Sequence, residues 1–132
     1  MASILLIEDH LLFATAIQRF LTNQRDLEIV GIIQSGEEAL KKLPGLRVDL
    51  ILVDVSLPTI SGIDLVQQIH REFPRIRCLM LSGHTTPKYV KRSLDVGASG
   101  YVLKDDVSGI LEGIRRVLAG EIYLSEALRG NE

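Results

Sequence analysis

Five apolar runs of strand length alternate with five stretches of helical periodicity, and this alternation constrains the fold more than any other feature of the chain. The runs are "SILLI" (3–7), "LEIVGII" (27–33), "DLILVD" (49–54), "IRCLML" (76–81) and "SGYVLK" (99–104). Four of them lack the polar alternation of a half-exposed strand, which predicts burial on both faces, as in a parallel sheet covered by helices. Phe13, Ala16, Ile17, Phe20 and Leu21 recur at helical spacing over about 11–23, with Asp9 as one candidate for the cap. Ser35 with Glu38 three residues on reads as a capping box, and that helix stops near Pro44 and Gly45. Leu65, Val66, Ile69 and Phe73 form a third stripe that ends before Pro74. Thr86 and Pro87 open a fourth helix that closes at Gly97. Val107, Ile110, Leu111, Ile114 and Leu118 form a fifth, ended at Gly120. Right-handed crossovers between parallel strands put helices on both faces, so the predicted fold is a doubly wound α/β sandwich.

The 132 residues suffice for one domain that buries roughly two thirds of its unfolded surface. A net charge of −2 gives no general attraction to nucleic acid or anionic lipid. No segment approaches the ~20 apolar residues of a membrane span, and "MASILLIEDH" meets an acid at Glu8 too early for a signal peptide. The single cysteine, Cys78 in "RCLML", excludes an internal disulfide and reads as an inert core thiol in a reducing cytosol. Gly109 and Gly113 each cost the fifth helix up to ~1 kcal/mol relative to alanine, which points to close packing or to a pliable element. Residues 121–132, "EIYLSEALRGNE", are expected to find no further element to pack against and to form a short terminal helix or the start of a linker.

In an open parallel sheet the ligand crevice lies beyond the carboxyl ends of the strands. There the chain carries Glu8 and Asp9 after the first strand, Asp54 at the end of the third, Ser82 at the end of the fourth and Lys104 at the end of the fifth. A packed core has no use for three acids, a hydroxyl and an amine at one rim, so they are read as one site. Carboxylates ~4 Å apart repel by about 4 kcal/mol at an effective dielectric of 20, which favours entry of a cation. Hard oxygen ligands suit Mg²⁺, with Mn²⁺ as the alternative. Asp54 is then a nucleophile for phosphorus, and Lys104 and the Ser82 hydroxyl are placed to cover the remaining phosphoryl oxygens.

This set, with "LPTISG" after Asp54 and Tyr101 within "GYVLKDD", resembles the receiver domain of two-component response regulators over nearly the whole chain. "GYVLKDD" and "GEIYLSEAL" are similar to the NarL/FixJ (LuxR-type) members. The resemblance implies a flavodoxin-like sheet of order 2-1-3-4-5 and a receiver over residues 1–120. It implies Asp54 as phospho-acceptor assisted by Lys104 and Ser82, with Ser82 and Tyr101 as the switch pair. Its metal ligands would be Glu8, Asp9, Asp54 and the backbone carbonyl of Ser56, Asp9 touching the ion directly and Glu8 mainly through water. His84 and Ser56 are candidate modulators of access to the phosphoryl group.

The same resemblance implies a cytoplasmic protein that assists its own Mg²⁺-dependent phosphorylation and dephosphorylation but is no conventional enzyme. Its partners would be a sensor histidine kinase and, once phosphorylated, a second copy of itself. DNA would be reached only through a helix-turn-helix domain that is not in this chain, with residues 121–132 as a C-terminal tail or the start of the linker to it, the chain being either an excised receiver or a stand-alone one.

The chain departs from the family pattern in three places. Asp105 stands where many receivers have proline, which leaves the isomer of the Lys104–Asp105 peptide open. Ser82 replaces threonine, and Leu11 replaces a proline frequent in this subfamily. Of the rival functions, an aspartate-nucleophile phosphatase needs a second aspartate where Ser56 stands. A flavin mononucleotide carrier would have its phosphate repelled by Glu8 and Asp9. A receiver-like module that is never phosphorylated is excluded by no sequence feature. Lys88, Lys91, Arg92, Arg115 and Arg116 read as solvated helix faces, close to the output surface if the chain is a receiver.

Overall fold

A computed structural model describes residues 1–129; the last part of the expected linker, residues 130–132, lies outside the described residues. The strands are β1 (Ala2–Ile7), β2 (Leu27–Ile33), β3 (Leu50–Asp54), β4 (Arg77–Ser82), β5 (Gly100–Leu103) and β6 (Tyr123–Leu124). The helices are α1 (Leu11–Thr22), α2 (Gly36–Lys42), α3 (Gly62–Glu72), α4 (Pro87–Asp95) and α5 (Val107–Leu118). All strands pair in parallel, in the order 2-1-3-4-5-6. The predicted five-stranded order is present, extended by one edge strand.

Strand geometry sends successive side chains to opposite faces, and the central strands use both. Ile4, Leu6, Leu50, Leu52, Leu79, Leu81 and Val102 pack under α1 and α5, against Ala14, Ile17, Leu21, Ile110, Ile114 and Val117. Leu5, Ile7, Ile51, Val53, Met80 and Tyr101 point the other way, under α2, α3 and α4, against Ala39, Leu43, Leu65, Val66 and Ile69. Every residue of β3 and β5 is buried. Each fully covered Leu or Ile contributes about 1.5–3 kcal/mol relative to an exposed one, so the sheet position of each strand is strongly specified.

Local signals set where the helices begin. Ser35 Oγ accepts from the Glu38 N–H at 3.2 Å, but the Glu38 carboxylate pairs with Lys42 at 2.9 Å instead of reaching back, so half of the capping box forms. Ser61 and Asp106 cap α3 and α5 by accepting from the N–H groups of Asp64 and Gly109. Gly97 (φ +108°) and Gly120 (φ +94°) follow α4 and α5 in the left-handed region that ends a helix.

Two expectations are corrected. His10, not Asp9, is the N-cap of α1, and it makes no side-chain cap bond, which leaves the Asp9 carboxylate on the rim. Residues 121–129 do find an element to pack against. Tyr123 and Leu124 add a strand beside β5, and Glu126–Leu128 form one 3₁₀ turn. Two residues are too short a run for alternation to reveal a strand.

Candidate functional site

Because the strands are parallel, their carboxyl ends share one rim, and the three acids, the hydroxyl and the amine expected there meet at it, while Tyr101 lies within β5 with its ring buried. Glu8 and Asp9 follow β1, Asp54 is the last residue of β3, Ser82 ends β4, and Lys104 follows β5. Asp9, His10, Leu12, Phe13, Asp54, Ser56, Gly83, His84 and Lys104 line a cleft of about 530 Å³. A larger cleft of about 660 Å³ lies between α4 and the C-terminal segment, but among the described residues that line it Lys91 is the one charged side chain and there is no acid.

Lys104 is the centre of the charge arrangement. Its Nζ lies 2.9 Å from Glu8 Oε1 and 3.4 Å from Asp54 Oδ2. Glu8 is wholly buried, and its Oε2 accepts from the His10 N–H at 3.0 Å. Burial raises the Glu8 carboxyl above its ordinary 4.5, and the Asp54 charge adds to this, against the pull of Lys104 and the His10 N–H. Asp54 Oδ1 accepts from the Ser56 N–H at 3.0 Å, which fixes the carboxylate at the cleft floor. The glycine of "LPTISG" has a physical reason: a Cβ on Gly62 would run into the Asp54 carbonyl, because the Gly62 N–H donates to the Val55 carbonyl at 2.9 Å. Thr59 in the same loop holds a positive φ of 65°.

The β4–α4 loop is tied to two other site residues. Ser82 Oγ accepts from the His84 N–H at 2.8 Å and donates to the His84 carbonyl at 3.3 Å. The Tyr101 hydroxyl donates to that same carbonyl at 3.1 Å from a fully buried ring. Burial raises the Tyr101 hydroxyl above its ordinary 10.0. The His84 ring stands edge-on to Tyr89 at 5.8 Å. The Lys104–Asp105 peptide is trans.

One contact to the central ammonium escapes the sequence reading. Periodicity places Phe13 only on the apolar stripe of α1, yet its ring centroid is 5.0 Å from Lys104 Nζ, within cation–π range. Its position in the first turn after the acid pair is the signal that could have found it. The basic residues of α4 and α5 are largely paired with neighbours: Lys91 with Asp95, Arg115 with Asp26, and Arg116 with Glu112 and Glu121.

The donor set fits a hard divalent cation. The carboxylates of Glu8 and Asp9 bring oxygens within 4.8 Å of each other and of a His10 ring nitrogen. Glu8 Oε1 is buried and, apart from the Lys104 contact, accepts no well-aligned hydrogen bond. Among the described residues Asp9 makes no side-chain hydrogen bond or ion pair, and it faces the cleft. Carboxylate oxygens of this kind suit Mg²⁺ or Mn²⁺.

Comparison with known proteins agrees with this geometry. Residues 4–118 match the family model described as the response regulator receiver domain. Over 129 residues the chain is 31% identical to the transcriptional regulatory protein DegU of Brevibacillus brevis, covering 97% of this chain and 55% of DegU. Over 119 residues it is 35% identical to the response regulator protein VraR of Staphylococcus aureus, covering 89% of this chain and 57% of VraR. The chain thus spans little more than half the length of these relatives. A solved two-component response regulator of the LuxR family from Aurantimonas sp. has a TM-score of 0.93 at 25% identity, covering 97% of this chain and 92% of that one. With the parallel sheet, the acidic rim and these matches in agreement, the chain belongs to the response regulator receiver domain family, among its NarL/LuxR-type members.

Proposed function

We propose that this chain is a phospho-accepting receiver that takes a phosphoryl group from a sensor histidine kinase onto Asp54. The observation that carries the reading is the Lys104 ammonium, held within 3.4 Å of Asp54 by a buried acid behind it, at the mouth of a cleft wide enough for a phosphoryl donor. The reaction forms an O–P bond to a carboxylate oxygen of Asp54 as the P–N bond of the phosphohistidine breaks, its electron pair returning to the imidazole nitrogen. Catalysis is mainly positioning and charge neutralisation. The Ser56 N–H orients the carboxylate, and Lys104 stands where the transferred oxygens arrive. Mg²⁺, which Asp9, Asp54 and the Ser56 carbonyl would hold with Glu8 acting through water, supplies charge neutralisation between the acids and the incoming phosphate. The chain so acts on itself and is a signalling domain, not a conventional enzyme.

The switch starts at Ser82. Its hydroxyl is engaged with His84, so turning towards a phosphoryl oxygen means leaving that turn. Tyr101 shares the His84 carbonyl, so the change reaches β5. A phosphoryl group adds roughly two negative charges and biases α4, β5 and α5 between two packings, by no more than its differential affinity for them. His84 and Ser56, both at the cleft wall, modulate access to the phosphoryl group. Dimerisation and transcriptional control through a DNA-binding domain follow in a full-length protein of the relatives' size, working in the cytoplasm. Among the described residues no helix is long and apolar enough to cross a membrane.

The test is intact-mass measurement after incubation with acetyl phosphate and Mg²⁺. One added phosphoryl group is expected, and none in Asp54→Ala. No addition to the unmodified chain would mark a silent module, and sustained turnover of unrelated phosphate esters would mark a phosphatase.

A further inference from the structure

The C-terminal segment touches the strand that carries Lys104. The Tyr123 N–H donates to the Ser99 carbonyl and the Ser125 N–H to the Tyr101 carbonyl, both at 3.0 Å. The β6 ladder then stops. The next outward N–H of β5, that of Leu103, donates to the side-chain oxygen of Ser125 at 3.0 Å. Ser125 is wholly buried, so this hydroxyl stands in for a missing strand residue where water cannot. The Lys104 N–H points the opposite way, to the Ser82 carbonyl at 2.9 Å. The Leu103–Lys104 backbone is therefore pinned from both sides, once by β4 and once by the tail.

Tyr123 anchors the segment in a seat made by two glycines. A Cβ on Gly100 would collide with the Tyr123 carbonyl, and one on Gly113 would stand 2.9 Å from its ring. This answers for Gly113 in the middle of α5: close packing, not pliability. Gly109 answers to the Asp106 cap, whose carboxylate occupies the space of a Cβ there. Arg129 closes over the seat, its Nε donating to the Leu124 carbonyl at 2.8 Å and its guanidinium 5.0 Å from the Tyr123 ring.

We infer that Ser125 is a positioning residue for Lys104: its buried hydroxyl, docked through the Tyr123 anchor, fixes the Leu103 amide and with it the approach of the ammonium to Asp54. The inference rests on the reading of Lys104 as the cation that meets the phosphoryl group. It makes residues 121–129 part of the phospho-accepting machinery, not merely a connector.

The experiment compares Ser125→Thr with Ser125→Val in the full chain. The two side chains match in shape and differ in the hydroxyl, so any general packing defect falls on both alike. Two quantities are read: the rate of phosphoryl uptake from acetyl phosphate with Mg²⁺, and the ¹³Cε resonance and relaxation of Lys104 in lysine-labelled protein. The threonine variant should stay near the unmodified chain in both. The valine variant should take up phosphoryl roughly fivefold more slowly, as loss of one hydrogen bond implies, and show a shifted, more mobile Lys104 signal. Equal rates and equal Lys104 signals in the two variants would overturn the assignment. If no chain takes up phosphoryl while the Lys104 signals still differ, the receiver reading falls and the positioning of Lys104 by Ser125 stands.

Discussion

Lys104 sits closer to Glu8 than to Asp54: its Nζ is 2.9 Å from Glu8 Oε1 and 3.4 Å from Asp54 Oδ2. The ammonium is thus neutralised by an acid with no exposed surface, which keeps it at the rim before any phosphoryl group arrives.

Replacing Lys104 by methionine strands the buried Glu8 charge. The expected loss is about 2 kcal/mol near pH 8, below the ~3–5 for a fully buried pair because Lys104 is partly exposed. A carboxyl raised above its ordinary value is held best as the neutral acid. Its contribution to stability is full below 4.5 and is lost as the pH rises through the raised value. The variant removes a contact that lowers Glu8, so its deficit should grow as the pH rises from 4.5 through the raised value. Urea unfolding at several pH values measures this, and a pH-independent deficit would contradict it.

Mg²⁺ should raise the melting temperature, and chelation should reverse the effect. At about 100 times the dissociation constant, binding to the folded state alone contributes ~2.7 kcal/mol. Asp9→Asn should lose most of this response while melting no earlier than the unmodified chain without Mg²⁺, since Asp9 has no partner among the described residues to lose. Calorimetric melts with and without Mg²⁺ decide it.

Gly113→Ala should reverse sign with context. Alanine favours a helix interior by up to ~1 kcal/mol, but here its Cβ meets the Tyr123 ring at 2.9 Å and Val102 Cγ1 at 3.1 Å. In the unmodified chain the substitution should destabilise by about 1 kcal/mol. In a Tyr123→Ala background it should be neutral or stabilising, and a double-mutant cycle in urea reads the coupling directly.

Cys78 should resist alkylation in the native protein. Burial pushes its thiol up to about 12, and the residue is 2% exposed. Labelling in mildly alkaline buffer should therefore follow the opening of β4, speeding up with urea in step with unfolding, and fast labelling without denaturant would contradict the burial.

The strand and helix order was legible because four strands are buried on both faces and their apolar runs are uninterrupted, as in Leu50–Val53. The rim was legible for the converse reason: Glu8, Asp54 and Ser82 are polar groups directly following such runs, and in a parallel sheet those ends must meet. At Asp9 the sequence offers both a helix cap and a rim acid; the Glu8 carboxylate takes the His10 N–H and leaves Asp9 to the cleft. β6 was not legible, since besides its backbone hydrogen bonds its hold on β5 comes from a serine side chain and from space left by Gly100 and Gly113. Ser125 lies 22 residues from Leu103, and partners of this kind leave no periodic trace. The Phe13 contact was hidden because one aromatic ring serves both the α1 stripe and the ammonium.

A sheet with six parallel strands has two open borders, and the short sixth strand is what stands between β5 and other chains. Stripping residues 121–129 would bare a row of amide and carbonyl groups flanked by Tyr101 and Leu103, the kind of template on which stray strands stack. Trimming this protein at Gly120 would therefore yield a chain prone to clump, whatever became of its chemistry.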